Sequence, residues 1–260
     1  MYISGLVNCP SPALDVFPKW KLKDLLDYLE SEVFEPLEEK SFEICRAKAL
    51  ILMMLATGRR LEDIQALESW RTYKSNGSRF FRFKAYDGWK GKAVSSNSTW
   101  RPHQVVIYPI SNVEDRDLSA LCPMRALRIY WKVSESRRLA LSSPQRLWLH
   151  PSRLSGFLPS IIINVIKDSM KKASPLPPAG GYPKVGTHHL RKFSFSYAYI
   201  YGVCEDLQQL WNRAGSKSGL TPTKSYIRNV PDITFYMCSP LGTLRPNMPP
   251  MREVSDPVRS

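Results

Sequence analysis

Leucines recur at helical spacing near the start of the chain. Leu22, Leu25, Leu26 and Leu29 fall on one face of a run from Trp20 to Glu32, which predicts an amphipathic helix packed on a core. Phe34-Glu35-Pro36-Leu37 interrupts that pattern, because proline excludes its predecessor from helical backbone. From Ser41 the chain turns helical again, and Ala47 to Ala56 is nearly all apolar or small, the pattern of a buried helix. Thr57-Gly58 ends it, glycine being a natural residue just past a helix C-terminus. A second short helix follows, carrying Arg59, Arg60, Glu62, Asp63, Ile64 and Leu67.

The period then changes. Arg79 to Ala85 alternates with aromatics and predicts a strand. Asp87-Gly88 is a turn signal, Trp89 to Val94 reads as a return strand, and Val105 to Ile110 as a third strand. Ser95 to Pro102 is a polar loop between them. Cys122-Pro123 opens another helix, with proline in the first turn, and Met124, Leu127, Ile129, Tyr130 and Trp131 line it to about Ser134. Leu147-Trp148-Leu149 predicts a short apolar strand. Ser160 to Lys172 is an amphipathic helix with a stripe of Ile161, Ile162, Val165, Ile166 and Met170. Ser174 to Gly186, rich in proline and glycine, is a loop that delivers the chain to a helix starting after Thr187. Glu205 to Arg213 and Thr223 to Arg228 are further short helices. After Val230 the chain is proline-rich and irregular. Residues 1–17 are an irregular lead-in, 18–230 one mostly helical α+β domain, and 231–260 a tail.

Composition adds a partner class. The 260 residues are 43% hydrophobic, enough for a real core, and the longest apolar runs are too short to span a membrane. Met1 to Pro10 lacks a basic region followed by an apolar stretch, so no signal peptide is expected there. Cys9, Cys45, Cys122, Cys204 and Cys238 are widely spaced with no CxxC pair, which indicates neither a zinc site nor a disulfide framework but reduced thiols inside a cell. The net charge of +14 and pI near 9.6 call for a polyanion, most often nucleic acid. The charge is spread along the chain, which suits a folded domain gripping a backbone better than a basic tail.

Candidate chemistry gathers at Thr187 to Ala198. Thr187 is placed as a helix N-cap, and His188 and Arg191, three apart, share a helix face while His189 points elsewhere. That face lies in the first turn, where free N–H groups and the helix dipole favour an anion. A histidine and an arginine aimed there suit a phosphate. Arg60 and Asp63 are also three apart and can share a face; a buried arginine needs a carboxylate or an anion, and Arg59 is expected to be the solvated one of the pair.

Three motifs stand in a fixed order: Ala56-Thr57-Gly58-Arg59-Arg60-Leu61-Glu62-Asp63-Ile64, then His188-His189-Leu190-Arg191, then Ser225-Tyr226-Ile227-Arg228. Together they resemble the tyrosine recombinase (phage integrase) catalytic domain, matching its A-T-G-x-R-x-x-[ED]-[IL] box, its H-x-[LI]-R box and its tyrosine helix. Phe17-Pro18-Lys19-Trp20, Phe34-Glu35-Pro36-Leu37 and Cys122-Pro123-Met124-Arg125-Ala126-Leu127 are similar to the branch carried by DIRS-type eukaryotic retrotransposons. The resemblance runs from about Phe17 to Val230. It implies a mostly helical α+β fold with a small antiparallel β-sheet at one edge.

The resemblance also implies roles. Arg60 and Arg191 would clamp the phosphate, with Asp63 orienting Arg60. His188 would be the second-box general acid/base and Tyr226 the nucleophile, Tyr236 being its rival. The family's catalytic lysine lies in a β-hairpin after the first box, where Lys92 is preferred and Lys90 and Lys84 are rivals. Arg59, Lys90, His189 and Lys192 would contact DNA. One position departs: the family usually has His or Trp nine residues before the tyrosine, where this chain has Lys217, with Trp211 six residues earlier. Lysine can donate to a phosphate oxygen but cannot pack as an aromatic does.

The chemistry suits these residues. Two guanidiniums can hold a pentavalent phosphate, Lys92 can protonate the leaving 5′ oxygen, and Tyr226 can store the bond as a 3′-phosphotyrosine. No cofactor or metal is expected, because the arginines take the metal's part. The implied partners are double-stranded DNA and further copies of the chain, a homo-tetramer on DNA, with no membrane. The implied setting is the nucleus if the chain belongs to a eukaryotic mobile element, and otherwise simply intracellular. A second expectation is a DNA-binding domain without strand cleavage, motivated by Lys217 and by residues 1–17 being too few for the helical clamp domain that the family places first. A type IB topoisomerase, with similar chemistry, is the third.

Overall fold

Helix α1 (Leu22–Glu30) turns its leucine face inward, and Leu22, Leu25, Leu26 and Leu29 are all buried. It packs on α6 (Phe157–Ala173), whose stripe residues Ile162, Ile166 and Met170 are likewise buried. The computed structural model describes residues 20–68, 70–75, 78–89, 104–107, 120–140, 146–149, 157–200 and 252–253. In between lies the expected interruption, Phe34 to Leu37, followed by a single tight turn over Leu37–Glu39.

The central element is α2 (Phe42–Thr57). Ser41 caps it, its side chain accepting from the Ile44 N–H at 3.5 Å. Almost every residue is buried, as expected of a helix that is apolar all round, and α4 (Pro123–Val133), α6 and α7 (His188–Ile200) pack against it. Two cations break the apolar pattern inside this core. Lys48 is fully buried; its Nζ donates to the Leu29 carbonyl at 2.7 Å and to the Glu35 carboxylate. Arg46, also fully buried, donates to the Leu149 carbonyl at 3.0 Å. Buried cations persist only with such partners.

After α2 comes the short α3 (Leu61–Gln65), which starts later than the motif run suggested because Arg60 is its extended cap residue. A four-stranded antiparallel sheet of order β3-β2-β1-β4 follows, built from β1 (Arg71–Ser75), β2 (Ser78–Lys84), β3 (Gln104–Ile107) and β4 (Arg252–Glu253). The first partner of the Arg79 to Ala85 strand is β1, which pairs with it from Arg71↔Arg82 to Ser75↔Ser78. β3 supplies the other edge of β2, with Phe83 opposite Val105. Asp87-Gly88 is a turn, with Gly88 at φ 86°, but the proposed return strand from Trp89 to Val94 falls mostly outside the described residues. The tail, read as irregular, contributes the two residues of β4 to the far edge, beside Tyr73 and Lys74.

The segment 147–149 is core but not strand. Only Arg146 makes a bridge, to Glu68. One backbone bond, from the Leu147 N–H to the Leu67 carbonyl at 3.0 Å, joins the segment to the chain just after α3, and side chains supply the rest. Arg138, in α5 (Glu135–Leu139), donates to the Arg146 and Leu147 carbonyls at 2.5 and 2.6 Å. Trp148 Nε1 donates to the Ile64 carbonyl at 2.9 Å, and the Leu149 N–H donates to the Tyr130 oxygen at 2.9 Å. The indole bond anchors α3, and with it the loop before α3. Among the described residues no helix is long and apolar enough to cross a membrane.

Candidate active site

The first box is a helix end followed by a turn. Thr57 closes α2 and its hydroxyl donates back to the Met53 carbonyl at 2.8 Å. Gly58 then adopts φ 60°, ψ 13°, and its N–H bonds the Met54 carbonyl at 2.9 Å. A left-handed residue at this point costs glycine nothing and other L-residues about 1–2 kcal/mol. The Arg59 N–H turns to the Thr57 hydroxyl oxygen at 3.4 Å. The helix therefore stops sharply, and the chain delivers two consecutive arginines before α3 begins.

Their environments differ. Arg60, half-buried, is the residue on which α3 starts, its carbonyl accepting from the Ile64 N–H at 3.1 Å. Arg59, expected to be the solvated one, is half-buried with its Nε enclosed. Burial pushes its guanidinium below the ordinary value and the Asp63 carboxylate pulls it back up. Asp63, buried at the start of α3, acts electrostatically on Arg59.

The second box opens α7. His188 is its first residue, one after Thr187. His188 reaches solvent, whereas Arg191 is 1% exposed. The protein packed around His188 disfavours a charged ring; Arg191, Lys192 and Arg60 push its pKa further below the ordinary histidine value, with Glu62 opposing weakly. Arg60 thus lies within electrostatic range of His188. Residues from two motifs more than a hundred positions apart share one electrostatic neighbourhood at the start of a helix whose dipole also favours an anion.

His189, read as a DNA contact, has a structural setting. Its Nδ1 accepts from the Gly186 N–H at 3.1 Å, and its ring meets Trp20 edge-on at 6.1 Å. Burial, then Lys192 and His188, keep it below the ordinary histidine value, in keeping with a neutral ring whose Nδ1 is an acceptor. Trp20 also meets Phe193 at 4.9 Å, so the α7 N-terminus is held against the entry to α1. Half-buried Lys192 lies beside both histidines.

Ser194 was not singled out from the sequence, though it stands three residues past Arg191 on the same helix face. Its buried hydroxyl lies 2.7 Å from the Leu55 carbonyl. Lys84, one of the rival hairpin lysines, lies 3.4 Å from the Glu68 carboxylate. Lys90, Lys92, Lys217 and Tyr226, together with Trp211 and Tyr236, lie outside the described residues. No group of three His, Cys, Asp or Glu able to hold a metal ion occurs among the described residues.

Solved structures similar to this chain include two complexes of one recombinase. One is XerH site-specific recombinase bound to palindromic difH substrate in a post-cleavage complex, at 16% identity over 79% of this chain and 48% of that one, TM-score 0.48. The other is the same recombinase bound to difH substrate in a pre-cleavage complex, at 16% identity over 81% of this chain and 50% of that one, TM-score 0.48. The chain therefore spans about half the length of the recombinases it is similar to. No family model and no curated protein matches it. The chemistry of the site rests on the site's own residues.

Proposed function

We propose that this chain is the catalytic domain of a tyrosine-type DNA recombinase that cleaves and rejoins strands through a 3′-phosphotyrosine, for DNA integration and recombination. The observation that supports the reading is that Arg60, from the first box, and Arg191, from the second, both depress the His188 ring that opens α7. Two guanidiniums there complement the charge of a pentavalent phosphate. His188, held neutral near pH 7, is suited to take the phenolic proton as the Tyr226 oxygen attacks phosphorus. The phosphorus–oxygen bond to the 5′ side breaks, and Lys92 gives that oxygen its proton. One phosphoester bond replaces another, so rejoining needs no external energy.

The setting that goes with this reading is double-stranded DNA as substrate, a homo-tetramer on it, and a mobile element of the DIRS-type retrotransposon branch acting in the nucleus. Two of the segments similar to that branch touch each other, through Glu35 and Arg125. Incubation with a duplex carrying a nick beside the cleavage site tests the reading: the intact protein becomes covalently attached to DNA, Tyr226→Phe does not. Absence of any adduct over a library of duplex sequences counts against it.

One observation favours a second reading, a DNA-binding domain that no longer cuts. Lys217 stands where the family carries His or Trp. Salt-sensitive duplex binding with no adduct distinguishes this outcome.

A further inference from the structure

The last carbonyls of a helix lack partners within it and must find them elsewhere. In α2, the Met54 carbonyl is taken by the Gly58 N–H at 2.9 Å. The Leu55 carbonyl would ordinarily receive the N–H four residues on, that of Arg59, but this N–H points to the Thr57 hydroxyl oxygen at 3.4 Å. The left-handed turn at Gly58 thus presents the arginines and diverts the donor that Leu55 would have used.

Ser194 meets that carbonyl. Its hydroxyl is 2.7 Å from the Leu55 oxygen, 3.0 Å from the Leu190 oxygen of its own helix and 3.5 Å from the Met54 oxygen. A hydroxyl has one proton, and the shortest contact takes it across the helix interface. Ser194 is 4% exposed, so water does not substitute readily. The bond joins α7 three residues beyond Arg191 to α2 three residues before Gly58.

We infer that Ser194 is a positioning residue that caps α2 from the neighbouring helix and sets the register between the Arg59–Arg60 turn and the His188–Arg191 face. Its consequence for DNA cleavage rests on the function proposed above; the registration itself does not. Apolar packing of Leu190 and Phe193 holds the helices together but is non-directional. A single hydrogen bond to a fixed carbonyl defines position along the axis.

The test compares the full chain with Ser194→Ala, which loses the donor, and Ser194→Thr, which keeps it. The first readout is the titration of the His188 ring by NMR, which needs no DNA. His188 is depressed in part by Arg60 across this junction, so in Ser194→Ala its midpoint moves up towards the ordinary histidine value, and in Ser194→Thr it stays with the parent. The second readout is single-turnover cleavage of the nicked duplex. In Ser194→Ala the rate falls about 10–100-fold, the scale of a displacement of about 1 Å, while DNA affinity stays within about twofold. Should the alanine variant fail to fold, Ser194→Val, the donor-less isostere of the threonine variant, carries the same readouts. An unmoved His188 midpoint in the folded donor-less variant overturns the inference. Absence of cleavage by the parent chain overturns the proposed function alone, because the titration still decides the role of Ser194.

Discussion

Glu35 and Arg125 meet through two parallel hydrogen bonds, Nη1 to Oε1 and Nη2 to Oε2, each 2.9 Å long. The same carboxylate takes the buried Lys48 ammonium and the Leu37 N–H, and Arg125 also reaches Glu38 at 2.8 Å. This cluster ties the bend before α2 to the start of α4. Burial alone would raise the Glu35 pKa; the bonds from Arg125 and Lys48 outweigh it and hold the carboxyl below its ordinary value. A depressed carboxyl contributes stability that is present above the unfolded value, 4.5, and is lost as pH falls through the folded one. Glu35→Gln leaves Lys48, fully buried, without its counter-charge. Denaturant unfolding at pH 7 is expected to show a loss of about 3–5 kcal/mol, and the acid side of the stability curve should become shallower. A loss under about 1 kcal/mol would mean that the cluster is only an exposed pair.

Gly58 gives a second prediction. At φ 60°, Gly58→Ala should cost about 1–2 kcal/mol, seen as a fall of about 2–4 °C in Tm for each kcal/mol. Gly58→Asn should cost less, since asparagine tolerates this backbone. Loss of DNA binding or cleavage beyond what unfolding explains would follow from misdirected arginines. Equal Tm for glycine and alanine would show that the turn is not left-handed in solution.

His188 gives a third. Its surroundings and the nearby positive charges depress it, so its ring should titrate below 6.5 in the free protein. The sign follows: the unfolded chain binds this proton at higher pH than the native one, so stability declines as pH falls through 6.5 towards the folded value. Binding a duplex, or inorganic phosphate alone, neutralises Arg60, Arg191 and Lys192 and should raise the midpoint. A midpoint that ignores both anions would place the phosphate elsewhere.

Much of this was legible in the chain because local rules and packing agree. The α1 leucines, the Thr57-Gly58 stop and the α6 stripe obey helical spacing, and each is where periodicity puts it. The β1 strand is not legible in the sequence because Arg71-Thr72-Tyr73-Lys74-Ser75 has little apolar content; Thr72 is buried, opposite Phe81. Leu147 to Leu149 reads as a strand because buried apolar runs look alike, but beyond one backbone bond to Leu67 its bonds come from Arg138, Trp148 and Tyr130, whose reach no period encodes. At the site, the motifs named His188, Arg191 and Arg60. They could not show that Asp63 acts on Arg59, that His189 accepts from Gly186, or that Ser194 caps α2, since each depends on the tertiary approach of separate elements.

The most direct test of the account is a double-mutant cycle on Arg60 and Arg191, read as single-turnover cleavage of a nicked duplex. If both guanidiniums serve one phosphate, each alanine substitution should slow cleavage about 10²–10³-fold, and the double variant should be far less impaired than the product of the two. Losses that multiply in full, or an Arg60 variant that cuts like the parent, would contradict a shared clamp.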